Sequence, residues 1–251
     1  MPRWLSLNFQ DFCSPSIFYL MNLHNYAIVI IFRVLILISY IIIYTFFSSY
    51  YYKNYSESTF IETVWSIVPA VLLFFLVLPS IKALYMMEDL EDRPLFTYKV
   101  IAHQWYWTYF YPVIIGETFS SNFSRVSNSS MDSILSDEEG LRLLTCNEEL
   151  WVPCGISRRL LISSTDVIHS FAVPSLGLKV DAIPGRINQL SFSPIRIGFF
   201  FGQCSEICGS NHSFIPINLK VVPFSEYLSY SMFNMGEFLL SFHYKSQLFV
   251  I

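Results

Sequence analysis

Gly202-Gln-Cys-Ser-Glu-Ile-Cys-Gly-Ser-Asn-His212 holds three metal-ligating residue types, Cys204, Cys208 and His212, in a Cys-x3-Cys-x3-His pattern. A second histidine, His169, stands 35 residues before Cys204, in Asp166-Val-Ile-His-Ser-Phe-Ala-Val-Pro. Two thiolates and two imidazoles make a soft nitrogen–sulfur set that suits copper or zinc. A Cys2His2 zinc site would use the same four residues, although zinc motifs pair their histidines at short spacing. A Cys204–Cys208 disulfide is the third reading. A loop between two late strands, joined by one histidine from an earlier loop, is how a β-sandwich assembles a metal site at one end.

The sequence around the motif fits that architecture. Thr97 to Phe110 alternates and is rich in Val, Ile, Trp, Tyr and Phe, which reads as one strand. Further strand-like runs are Arg158–Ser163, Ile187–Phe192, Gly198–Phe201 and Ile217–Val222, with turn signals at Pro174, Gly177, Pro184-Gly185, Pro194 and Gly209. Short strands at such spacing predict an all-β sandwich or barrel. Gly116 to Gly140 is rich in Ser, Asn and acid and reads as a long loop, and the tail beyond Pro223 reads as a helix. Five cysteines (Cys13, Cys146, Cys154, Cys204, Cys208) at irregular spacing are not a disulfide framework. The sequons at Asn122, Asn128 and Asn211 are assigned no role.

The first third has a different texture. Only 14% of the 251 residues are charged, 18% are aromatic, and mean hydropathy is +0.46. Tyr26 to Phe47 is a run of 22 residues with one charge, Arg33; as a helix it spans about 33 Å, enough for a bilayer core. Thr63 to Ile81 is an uncharged run of 19 residues containing Pro69 and Pro79, about 28 Å as a helix. Arg33 sits in the first third of its span, where snorkelling toward a headgroup suits it. Thr59-Phe-Ile-Glu62 reads as a capping box opening the second helix. The opening residues read as neither a transit peptide nor a signal sequence. The expected organisation is an N-terminal segment (1–25), a two-helix transmembrane hairpin (26–85), a β-sandwich domain (86–225) and a C-terminal tail (226–251).

The net charge is −4, but residues 86–150 hold eleven acidic against four basic side chains, a local −7. Such a stretch is either a solvated surface or a face for a basic protein partner. No basic stripe is present, so no nucleic-acid partner is expected.

Several segments, in order, resemble one family. They are Phe9-Gln-Asp, Glu62-Thr-Val-Trp-Ser-Ile-Val-Pro-Ala, Leu78-Pro-Ser-Ile-Lys-Ala-Leu-Tyr-Met-Met and His103-Gln-Trp-Tyr-Trp. Asp166-Val-Ile-His, Pro174-Ser-Leu-Gly-Leu-Lys-Val-Asp-Ala-Ile-Pro-Gly-Arg and the 202–212 loop complete the set. Together they identify the chain as a member of the cytochrome c oxidase subunit II family over about residues 9–223. Residues 112–150 and the tail beyond 224 resemble it little.

The resemblance implies a membrane hairpin carrying a cupredoxin-like sandwich, in the mitochondrial inner membrane, with the sandwich in the intermembrane space. It implies a dinuclear copper centre (CuA) on His169, Cys204, Cys208 and His212, with the Glu206 carbonyl as a further ligand. The Glu206 carboxylate would help hold a magnesium ion shared with subunit I. Trp105 would receive electrons from cytochrome c, with Tyr106 next on the path and Asp166 among the docking acids. Phe110 stands where the family pattern has an acid, so the acids of 132–149 would substitute. Glu62 would lie at the mouth of a proton channel into subunit I. The activity implied is that of cytochrome-c oxidase, this chain being its electron-entry subunit. One position departs from the pattern: Ile215 replaces the methionine whose thioether would reach the second copper. The rivals are a copper-free structural subunit of a quinol oxidase and a membrane-tethered copper carrier.

Overall fold

The computed structural model describes residues 5, 8–50, 53, 57–88, 94–111, 130–136 and 140–231. Two helices come first, α1 (Pro15–Phe47) and α2 (Thr59–Glu88). Their most apolar windows have mean hydropathies of 2.7 and 2.4, and no part of either window is buried within the chain. A helix in a soluble core hides such a surface; here it stays exposed, as lipid-facing helices do. Helix α1 starts well before Tyr26: Ser14 Oγ accepts the Ile17 N–H at 3.4 Å, and Pro15 at the first position has no N–H to leave unpaired. Helix α2 runs on through Pro69 and Pro79.

The expected capping box at α2 shifts by one residue. Ser58 is the cap, its hydroxyl accepting the Ile61 N–H at 3.4 Å and its carbonyl the Glu62 N–H at 3.0 Å. Glu62 therefore lies one position past the box, exposed in the first turn, where a carboxylate favours the helix dipole.

Contacts divide the chain into two compact units, Phe18–Glu88 and a β unit made of Met1–Ile17 with Asp89–Ile251. The β unit has ten described strands: β1 (Phe96–His103), β2 (Tyr106–Phe110), β3 (Ser130–Ser133), β4 (Leu150–Pro153), β5 (Arg158–Ser164), β6 (His169–Val173), β7 (Leu178–Ala182), β8 (Asn188–Phe192), β9 (Gly198–Gln203) and β10 (Pro216–Val222). One sheet has the order β3-β2-β1-β5-β8, a second β4-β10-β9, and β6 pairs with β7. Two pairings are parallel: Phe96 lies opposite Arg158 on β1/β5, and Leu150 opposite Leu219 on β4/β10. Strand β1 alternates buried and half-buried residues along its whole length, and so does β5. Their inward side chains, with Trp107, Phe171, Leu150 and Leu219, make a core in which each residue is fully buried. Each large apolar side chain so buried contributes roughly 1.5–3 kcal/mol.

Three sequence expectations change. The single strand over 97–110 is a hairpin, β1 and β2, broken at Gln104-Trp105. The end of the expected 116–140 loop forms β3, which pairs with β2; residues 116–129 lie outside the described residues. The tail begins as a helix over 224–231, and its remainder is outside them too.

Within the β unit, residues 12–17 are strapped down. Cys13 donates its N–H to the Ser175 carbonyl at 3.0 Å and accepts from Ile195 N–H at 2.8 Å, and Ser14 Oγ donates to the Leu176 carbonyl at 2.6 Å.

Candidate metal centre

Strands β6 and β9 bring the four motif residues together. Gly202 on β9 faces β6 so closely that a Cβ there would come within 1.9 Å of the Ala172 carbonyl oxygen. Only a residue without a side chain permits that approach. Two residues later the chain delivers Cys204 beside His169, the first residue of β6, with Sγ 3.9 Å from Nδ1. The Cys204 and Cys208 sulfurs are 4.0 Å apart. The Cys208 sulfur is 3.5 Å from Nδ1 of His212, which opens a short 3-10 turn. Ligand atoms of His169, Cys204 and Cys208 all lie within 4.8 Å of one another, and all three residues are buried. The Cys204 thiol also donates to the Glu206 carbonyl at 3.4 Å. Two sulfurs, two Nδ1 atoms and one carbonyl thus converge on one end of the sandwich, a donor set that fits copper. All five cysteines are free thiols in this fold, so the disulfide reading is not the one adopted.

The two thiols are electrostatically unequal. Burial opposes ionisation of Cys204, but hydrogen bonding to His169 and to the Glu206 and Ser170 backbone outweighs it and pulls that thiol down. Burial and the neighbouring Cys204 charge push Cys208 up. A thiolate next to a thiol is poised for a cation that displaces the remaining proton.

His169 is aimed by its other nitrogen. Nε2 meets Asp166 Oδ1 at 2.9 Å, leaving Nδ1 toward the sulfurs. Asp166 is saturated: its carboxylate also accepts the Gln104 and Val167 N–H groups, each at 2.6 Å, and the Ser164 hydroxyl at 3.1 Å. Burial would raise its pKa, yet these bonds, led by His169, hold it below the usual carboxylate range. A carboxylate behind a ligating histidine fixes ring orientation and ligand basicity.

The hairpin turn packs on the motif loop. Gly209, at φ +128°, sits so close that a Cβ would lie 3.3 Å from both Gln104 Nε2 and Trp105 Cζ2. Gln104 Nε2 donates to the Cys208 carbonyl at 2.8 Å. The Trp105 ring therefore rests on backbone between Cys208 and His212. Tyr106 turns to the other side, its ring stacked 4.6 Å from His103, whose Nδ1 is 2.9 Å from Thr165 Oγ1. Trp107 is fully buried against Phe171 at 5.3 Å. Ile215, buried at 1% exposure, accepts the Cys204 N–H on its carbonyl at 3.1 Å.

Glu62 belongs to the helical unit. Of the acids in the −7 stretch, Asp132 accepts the Thr108 hydroxyl at 2.7 Å, while Asp137, Glu138 and Glu139 lie outside the described residues. Gln104, Gly202 and Gly209 were not read as site residues. Gln104 and the two glycines do appear within quoted motifs, but nothing in their spacing reveals which atoms they approach.

Comparison with known proteins gives one answer over both units. The family profile described as cytochrome c oxidase subunit II, periplasmic domain, matches residues 96–222, and that for its transmembrane domain matches residues 2–83. Cytochrome c oxidase subunit 2 of Choristoneura rosaceana is 39% identical over 230 residues, covering 92% of this chain and 98% of that protein. The Myxine glutinosa protein of the same name is 40% identical over 230 residues, covering 92% and 97%. Among solved structures, the periplasmic domain of subunit II of cytochrome oxidase from Bradyrhizobium japonicum superposes with a TM-score of 0.51 at 36% identity. It covers 59% of this chain and 99% of that one.

Proposed function

This chain belongs to the cytochrome c oxidase subunit II family, and we propose that it is the electron-entry subunit of its oxidase. On this reading it takes electrons from cytochrome c and passes them to the haem-bearing subunit I, where oxygen is reduced to water with proton pumping. The observation that carries the reading is the convergence of His169, Cys204 and Cys208, with His212 beside Cys208. A copper-free quinol oxidase subunit has no use for two buried thiols between two imidazoles.

His169, Cys204, Cys208 and His212, with the Glu206 carbonyl, would hold a dinuclear copper centre (CuA). Bound there, it would supply a one-electron redox couple. The chain's own residues do the rest. Asp166 holds the His169 tautomer through Nε2, and Gln104 ties the hairpin turn to Cys208. Trp105, resting on Gly209, presents an aromatic ring between an incoming cytochrome c and the cysteine loop. Tyr106 supports that surface from its stack with His103. Asp166 keeps a secondary role in docking, because its side chain retains 29% exposure. The Glu206 carboxylate helps hold a magnesium ion shared with subunit I, and Glu62 admits protons to that subunit. The protein works in the mitochondrial inner membrane, with the sandwich in the intermembrane space.

The test is metal analysis with electron spin resonance on the purified chain reconstituted with copper. Two coppers per chain and a seven-line mixed-valence signal support the reading. A colourless protein returns it to the structural-subunit alternative, and a mononuclear signal to a carrier.

A further inference from the structure

The opposite end of the sandwich holds a charge with no counter-ion among the described residues. Arg158, the first residue of β5, is fully buried, between Phe96 on β1 and Phe192 on β8. Its guanidinium carbon is 5.4 Å from the Phe192 ring centroid, so one face is covered by an aromatic ring. Its edge is not served: Nε, Nη1 and Nη2 have no hydrogen-bond partner among the described residues. The hydroxyls of Tyr98 and Tyr227, also fully buried, interact with each other, Tyr98 as donor, and neither has a close hydrogen-bond partner among the described residues. Tyr98 is on the inward face of β1 two residues beyond Phe96, and Tyr227 comes from the helical segment 224–231, its ring 5.4 Å from that of Phe96.

The inventory is one-sided. A guanidinium is all donors, and with Tyr98 turned to Tyr227 the phenol pair still has the Tyr227 proton to give. Among the described residues the ion pairs are His169–Asp166 and Lys179–Asp181, and neither involves Arg158. Burial lowers Arg158 to about 10, which leaves it a cation at neutral pH. Burial raises Tyr98 and Tyr227, the latter to about 12, so neither supplies a phenolate. The remaining titratable neighbour that bears on Arg158 is the Cys154 thiol. Among the described residues, this buried cation beside neutral phenols lacks one thing, an acceptor carrying negative charge. Arg159, one residue on, shows the ordinary arrangement, half-buried and bonded to Thr97 Oγ1 at 3.3 Å.

We propose that Arg158, Tyr98 and Tyr227 form a buried receptor for one small monovalent anion, of which chloride is the abundant example. The site is separate from the metal centre, since β5 runs from Arg158 at one end to Ser164, behind Asp166, at the other. An anion that binds only the folded chain stabilises it in proportion to the logarithm of its concentration above saturation.

The test uses the full chain in detergent, moved from gluconate to bromide at constant ionic strength, with the thermal midpoint as readout. The expected result is a midpoint that is flat at low bromide and, past the half-saturating concentration, climbs with the logarithm of bromide concentration. Arg158→Met should abolish that rise and be at least as stable as the anion-free parent. Tyr227→Phe keeps the ring and removes one donor, and should weaken the half-saturating bromide concentration roughly tenfold. A flat response in the parent, or equal responses in the parent and Arg158→Met, overturns the proposal, because the guanidinium is then satisfied within the chain. Should Arg158→Met fail to fold, an unchanged half-saturation in Tyr227→Phe overturns it equally.

Discussion

Asp166 and Arg158 flank the two ends of the same strand, β5, yet the chain treats the two charges differently. Asp166 keeps partial exposure and accepts from two backbone N–H groups, a hydroxyl and a histidine. Arg158 is fully enclosed and has no hydrogen-bond partner among the described residues. The difference follows from what each end is made of. At the metal end the chain turns at 104–105, 165–168 and 204–212, and turns release backbone groups from the ladders that need partners. One carboxylate can organise them all. At the other end the turns at 154–157 and 193–197 pair backbone with backbone, Gly155 N–H to the Pro194 carbonyl and Cys154 N–H to that of Val222, and the inward Arg158 side chain meets an aromatic ring. A charge at the first end orders loops, while a charge at the second has to be matched from elsewhere.

If that contrast holds, changes at the metal end should move metal properties and spare stability, and changes in the core should do the reverse. The largest effect is expected from Cys204→Ser, which should eliminate the dinuclear signal; a persisting seven-line spectrum would remove Cys204 from the ligand set. Trp105→Phe should slow electron input from cytochrome c strongly while leaving that spectrum intact, as read by stopped-flow absorbance. Leu160→Ala, on the fully buried face of β5, should cost about 2–5 kcal/mol in denaturant unfolding without altering the copper bands. A spectrum that moved with Leu160 would mean the two ends are coupled.

Asp166→Asn sharpens the comparison. If orientation of His169 is its main task, copper affinity should fall about 10–100-fold, with the salt dependence of turnover unchanged. Intact affinity with a flatter salt dependence would assign it to docking instead. The smallest effect belongs to Ile215→Met. A thioether donor favours the oxidised form, so the reduction potential should drop modestly, since a weak axial ligand tunes a site more than it holds it. An unchanged potential would place residue 215 outside the ligand shell.

The sequence made one end legible and left the other obscure. The Cys-x3-Cys-x3-His spacing and His169 announced the ligand set because ligand identity is written in residue type. The two apolar runs announced the helices because lipid demands length and hydropathy. Strand β6 was missed because all five of its residues are buried, which leaves no alternation to read. The β1–β2 break was missed because Gln104-Trp105 carries neither glycine nor proline. The strand over 158–163 is legible, but which of its faces turns inward is not, so the burial of Arg158 beside a half-buried Arg159 has no signal in the sequence. The partners of Asp166 and the close approach at Gly202 depend on distant segments, and no local pattern encodes them.

The parallel pairings also bear on the order of events in time. Phe96 finds its place only against Arg158, and Leu150 only against Leu219, so neither contact can be closed by a hairpin. Cys13 likewise waits for Ser175 and Ile195, more than 160 residues further along the chain. Closing such long loops has to precede the contacts that reward it, which places folds of this kind among the slow ones, in milliseconds to seconds. Cys204 and Cys208 follow nine of the ten described strands in the chain, and they meet His169 only when β9 lies down on β6. A metal held by these residues would therefore be loaded late, sealing a sandwich rather than seeding it.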